Sequence, residues 1–124
     1  MNYCFLIAAL ISLFGTGVHI FVGNKKIDNV IFATDLNINI RTISRVVWHS
    51  VTCVLAISFA FLFFGAFKGL SNDAAYFIAA YMLGFSALFI YFCAYHLGKP
   101  FSFPHPIVFF MMGSLVILGS FNHA

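Results

Sequence analysis

Residues 46–67 read VVWHSVTCVLAISFAFLFFGAF. The run holds no Asp, Glu, Lys or Arg and is apolar on every side. A helix in water keeps a polar face. A helix in lipid can be apolar all round, because it satisfies its own backbone hydrogen bonds. Spanning a bilayer takes about 20 such residues, so this segment predicts a transmembrane helix. The stretches at about residues 3–22, 74–97 and 107–121 read the same way. The expected fold class is an all-α integral membrane four-helix bundle. It forms one domain over residues 1–124, with a longer connection at 23–44.

Composition leaves room for little else. Hydrophobic residues make up 63% of the chain and charged residues only 7%, against about 25% charged in an average soluble domain. Four spans nearly use up 124 residues, so a water-soluble catalytic domain is not expected. Cys4, Cys53 and Cys93 include no C-x-x-C pair, which argues against both a disulfide framework and a thiol-redox enzyme. A net charge of +3 is too small to signal a nucleic-acid partner. The expected partners are the lipid bilayer and either other membrane subunits or further copies of the chain.

Punctuation agrees with the spans. The first apolar stretch has no basic leader and ends in Gly23-Asn24-Lys25-Lys26, so it reads as a retained span rather than a cleaved signal. Gly65, Gly69 and Ser71-Asn72-Asp73 predict a short hairpin whose polar residues cap the third span. Gly98-Lys99-Pro100 ends that span, and Pro104 and Pro106 delay the fourth. Within 23–44, Ile27, Val30 and Ile31 recur at helical spacing. Either a short surface helix or a polar loop satisfies that pattern.

Lys25, Lys26, Arg41, Arg45 and Lys99 fall at one end of the spans and Lys68 at the other. The positive-inside rule makes the basic end cytoplasmic and puts both termini outside, as in a bacterial inner-membrane protein. Trp48 and Tyr95 then mark the inner interface, and Tyr3 and Tyr76 the outer.

This topology gathers His19, His49, His96 and His105 near the cytoplasmic interface, one per helix, and leaves His123 at the far end. His19 shares a face with Ser12, Gly15 and Thr16, and His49 with Thr52, Cys53, Ala56 and Ala60. Small residues let helices approach closely in lipid, so both histidines are expected to point inward. His96 shares its face with Phe85, Phe89 and Phe92, and His105 is expected to be wetted between its prolines. Any one interfacial histidine taken alone reads first as an amphipathic anchor. A pair at one level is a functional candidate.

Two chemistries fit. His19 and His49 are candidate axial ligands of haem b, with Gly15 leaving space for the macrocycle and Arg41 and Arg45 facing its propionates. Alternatively, His19, His49, His96 and His105 bind a non-haem iron, copper or zinc ion. Either makes the chain a redox or electron-transfer component of a membrane complex. A second reading is a cofactor-free accessory or assembly subunit recognised through Phe-rich faces, which 18 phenylalanines could build. A third is a membrane metalloenzyme acting on a lipid or quinone. The spans contain no charged residue, which disfavours ion-coupled transport and leaves no lysine for a retinal Schiff base.

The pattern Gly15-x-Gly17-x-His19, Arg41 and Trp48-His49-x-x-Thr52 resembles a group of small four-span bacterial membrane proteins of uncharacterised function. The resemblance covers the first half of the chain and implies a fold but no activity. Reporter fusions after Lys26 and after Lys99 are expected to score cytoplasmic, and those at Lys68 and the C-terminus external. A cytoplasmic C-terminus would reverse the orientation.

Overall fold

The computed structural model describes residues 1–122, all helices and turns with no strand among them. The helices are α1 (Tyr3–Phe32), α2 (Ile38–Lys68), α3 (Asn72–Leu97) and α4 (His105–Phe121). The first three are long and apolar enough to cross a membrane, while α4 is apolar but has only 17 residues.

Local chemistry sets the boundaries. Asn2 Oδ1 accepts from Phe5 N at 3.2 Å, Asn37 Oδ1 from Asn39 N at 2.8 Å, and Ser71 Oγ from Ala74 N at 3.3 Å. Each pairs an amide that a helix start leaves orphaned. Gly69 (φ 87°) and Gly98 (φ 64°) end α2 and α3 at backbone angles that side chains disfavour.

The connection expected at 23–44 is a correction. There α1 continues without a break to Phe32, and α2 already starts at Ile38, so only residues 33–37 link them. From His19 to Asp28 the helix is wound in the wider π manner, with bonds five residues apart, as from Asn29 N to Asn24 O. Gly23 does not stop the helix. It packs against the Trp48 indole so closely that a Cβ would overlap the ring. Asn24 Oδ1 accepts from Trp48 Nε1 at 2.9 Å, and Asp28 accepts from Arg45. The polar residues that read as a loop are ties between two helices. The fourth helix also starts earlier than expected, at His105 rather than 107.

The helices pack in the order α2–α1–α4–α3. Ser12 Oγ donates to Leu55 O at 2.7 Å, and Asn2 N to Ala66 O at 2.7 Å, fixing α1 on α2. Asn2 Nδ2 donates to Gly119 O at 2.7 Å, and the Phe5 ring covers Gly119, fixing α1 on α4. Ser86 Oγ donates to Pro106 O at 2.7 Å across α3 and α4. The hydroxyls of Ser58 and Tyr81 pair between α2 and α3. Leu62, Met82, Met112 and Val116 fill the space between, while Phe14, Phe64, Phe77 and Phe110 turn outward.

The α1–α4 contact makes a sharp prediction. A Cβ on Gly119 would fall 2.5 Å from a Phe5 ring carbon and 3.2 Å from Asn2 Oδ1. Gly119→Val is therefore expected to lower stability in detergent by about 1–3 kcal/mol, the usual cost of overpacking. Gly84→Ala, with nothing within 4 Å of the added carbon, is expected to leave the thermal transition in place.

Candidate functional site

Among the described residues, His19 is the histidine that the fold buries. Its side chain is 9% exposed, on the same α1 seam as Phe5, Ala9 and Ser12. Nδ1 shares a hydrogen bond of 2.8 Å with Thr52 Oγ1. The ring stacks on Trp48 at a centroid distance of 3.9 Å and an angle of 15°. Trp48 and Thr52 lie one turn apart on α2, so one face of that helix grips both the ring plane and one ring nitrogen. Trp48 is held in turn by Asn24 and by the absence of a side chain at Gly23. No hydrogen bond reaches His19 Nε2 among the described residues.

His49 does not point inward as expected; it is exposed. The α2 seam runs through Trp48, Thr52 and Leu55, and the next position lies about 100° around the helix. Of the residues expected on its face, Cys53 and Ala56 are exposed with it, while Thr52 turns to His19. Small residues permit a helix contact but do not compel one, because lipid accepts alanine equally well.

His105 also differs from expectation. It is the first residue of α4 rather than a solvated loop residue, and it is half-buried. Its ring stacks on Phe89 at 4.8 Å and 7°, and its buried Nδ1 has no hydrogen-bond partner. Both His105 and, to a smaller degree, His49 lie within electrostatic range of His19.

His96 belongs to another level. It is exposed and lies seven residues beyond Phe89 along α3, about 10 Å further toward the basic end at 1.5 Å per residue. Its neighbours are Phe92 and Tyr95. The expected four-histidine set is thus not one cluster, and no group of three or more His, Cys, Asp or Glu among the described residues is arranged to hold a metal ion. His123 lies outside the described residues.

The arginines are engaged within the chain. Arg45 Nε donates to both Asp28 oxygens, at 3.1 and 2.9 Å, and its guanidinium lies 3.9 Å from the Phe32 ring centroid. Arg41 Nη1 donates to Phe32 O at 2.9 Å, and its charge lies 5.3 Å from the same ring. Asp28 is only 6% exposed, so Arg45 compensates a charge that would be costly alone. The expectation that both arginines stand free for propionates is corrected accordingly.

Sequence reasoning placed His19 correctly but missed its partners. Trp48 was read as an interfacial aromatic, and Asp28 was not considered. The available signal was Ile27, Val30 and Ile31 at helical spacing, which extends α1 and brings residues 24 and 28 opposite 48 and 45. Comparisons with protein-family models, with curated proteins and with solved structures find no match.

Thr52→Val should leave a buried imidazole nitrogen without its hydroxyl. The expected loss is about 1–3 kcal/mol, the cost of an unsatisfied buried polar group. Thr52→Ser, which keeps the hydroxyl, should recover most of it in the same thermal-unfolding measurement.

Proposed function

We propose that the chain crosses a bilayer four times, with its basic end in the cytoplasm of a bacterial inner membrane. We further propose that it acts through His19, as a ligand to a redox-active transition-metal ion within a membrane assembly. For the short α4, the apolar Phe101 and Phe103 just before it extend the reach of its 17 residues.

One observation carries the functional reading: His19 is a buried ionisable side chain whose ring is fixed on one nitrogen and one face, leaving the other nitrogen open. Ionisable residues inside membranes mark functional sites. Metal-ligating histidines characteristically bond their second ring nitrogen to an orienting partner, the part that Thr52 is suited to play. The π winding also starts at this residue, and π distortions concentrate at functional sites. An ion suits the surroundings better than a haem macrocycle, because the Leu55 side chain stands beside Gly15 and both arginines are engaged.

A cofactor-free accessory subunit is the second reading. It is favoured by the outer face of α2, where Ile43, Val46, Val47 and His49 are exposed side by side. Elemental analysis of protein purified from membranes separates the two. The metal reading expects about one transition-metal ion per chain, lost in His19→Ala and kept in His96→Ala. Metal-free wild type, with partner co-purification unchanged by His19→Ala, would establish the accessory role instead.

A further inference from the structure

The register of α1 on α4 puts a second histidine at the height of His19, and it is not the one that sequence spacing favoured. Phe5 packs on Gly119, which fixes one point of contact between these antiparallel helices. His19 lies fourteen residues after Phe5, and His105 fourteen residues before Gly119. At 1.5 Å per residue both are about 21 Å from that point. Fourteen residues also make nearly four full turns, so each histidine returns to the face where its helix meets the other. The buried positions agree: Ala9 and Ser12 lie between the two ends on α1, and Phe109, Met112 and Val116 on α4.

The two rings also have complementary vacancies in their bonding. In the tautomer whose Nδ1–H donates to Thr52 Oγ1, His19 Nε2 carries a free lone pair. On His105 the buried Nδ1 lacks any partner, while Phe89 holds the ring flat. We propose that His19 and His105 together form a two-imidazole site for a monovalent copper ion. This rests on the reading of His19 as a metal ligand and names its partner and its ion.

The charge of the ion follows from the surroundings. No carboxylate stands at this level: Asp28 is paired with Arg45, and Asp35 and Asp73 lie at the helix ends. Two neutral ligands cannot offset a buried divalent charge, and burying uncompensated charge is expensive. The positive end of the α4 dipole adds to that cost. Cu(I) carries one charge, binds imidazole, and accepts two-coordinate linear geometry.

The test uses the full chain in detergent with Cys4→Ala, Cys53→Ala and Cys93→Ala, so that thiols do not compete. Cu(I) is titrated against a colorimetric Cu(I) chelator. One ion per chain is expected. His19→Ala and His105→Ala should each weaken binding at least about tenfold, the loss that even an outer partner of a metal ligand causes. His49→Ala and His96→Ala should leave it unchanged. His105→Cys, tested in the same background, should retain copper and gain a near-ultraviolet thiolate-to-copper band that His49→Cys lacks. That gain reads ligation directly and does not depend on a variant losing function by misfolding. Copper lost with His49 rather than His105, or a band in His49→Cys alone, would overturn this pairing while leaving His19 as a ligand. A wild type that takes up no Cu(I) would overturn the copper site, while elemental analysis of protein purified from membranes decides the metal reading separately. Tighter binding of Zn(II) than of Cu(I) would overturn the assignment of a monovalent ion.

Discussion

The architecture depends on α1 lying close to both α2 and α4, and on the few polar bonds that fix its register there. Between helices in lipid there is little hydrophobic driving force, because the acyl chains are as apolar as the side chains. Close packing and hydrogen bonds must supply the specificity. Asn2 is the central tie at one end, donating from its backbone to Ala66 O and from its side chain to Gly119 O. Ser12, bonded to Leu55 O, repeats the tie further along. With α1 pinned at these points, Trp48 and Thr52 of α2 meet His19.

How much of this was legible in the sequence depends on the kind of interaction. Helix number, the hairpin at Gly69 and the stop at Gly98 could be read, because they follow from hydropathy and from backbone angles peculiar to glycine. The direction of His49 could not. On a helix apolar all round, no polar face distinguishes inside from outside, and Cys53 and Ala56 suit either environment. Residues 23–44 misled for the opposite reason. Asn24, Lys25, Lys26 and Asp28 have the composition of a loop, yet Asn24 and Asp28 spend their polarity on Trp48 and Arg45. Such pairings exist only once two helices are side by side. A single segment cannot reveal them.

The candidate site divides along the same line. His19 was recognisable because Ser12, Gly15 and Thr16 gave its helix an unusually small stripe, and Ser12 indeed bonds across that seam. His105 was misjudged because its flanking prolines suggested an exposed turn. Proline is well tolerated in the first turn of a helix, where its missing N–H would have no partner anyway. Pro106 is fully buried and its carbonyl accepts from Ser86. The proline therefore anchors the start of α4 against α3 and holds His105 at the edge of the bundle instead of releasing it.

That position also fixes how the bundle is built around the start of α4. At this depth α4 begins, so beyond His105 that side of the bundle continues as α3 from Phe89 to Leu97 and then as the turn at residues 98–104. On the other side α1 and α2 run on for several turns to Phe32 and Ile38, braced by Arg45 on Asp28 and on the Phe32 ring. The basic end is thus built on one flank by the α1–α2 hairpin and on the other by the last turns of α3 and the turn that follows it. His49, exposed on the far face of α2, takes no part in this packing, whereas the half-buried ring of His105 stacks on Phe89.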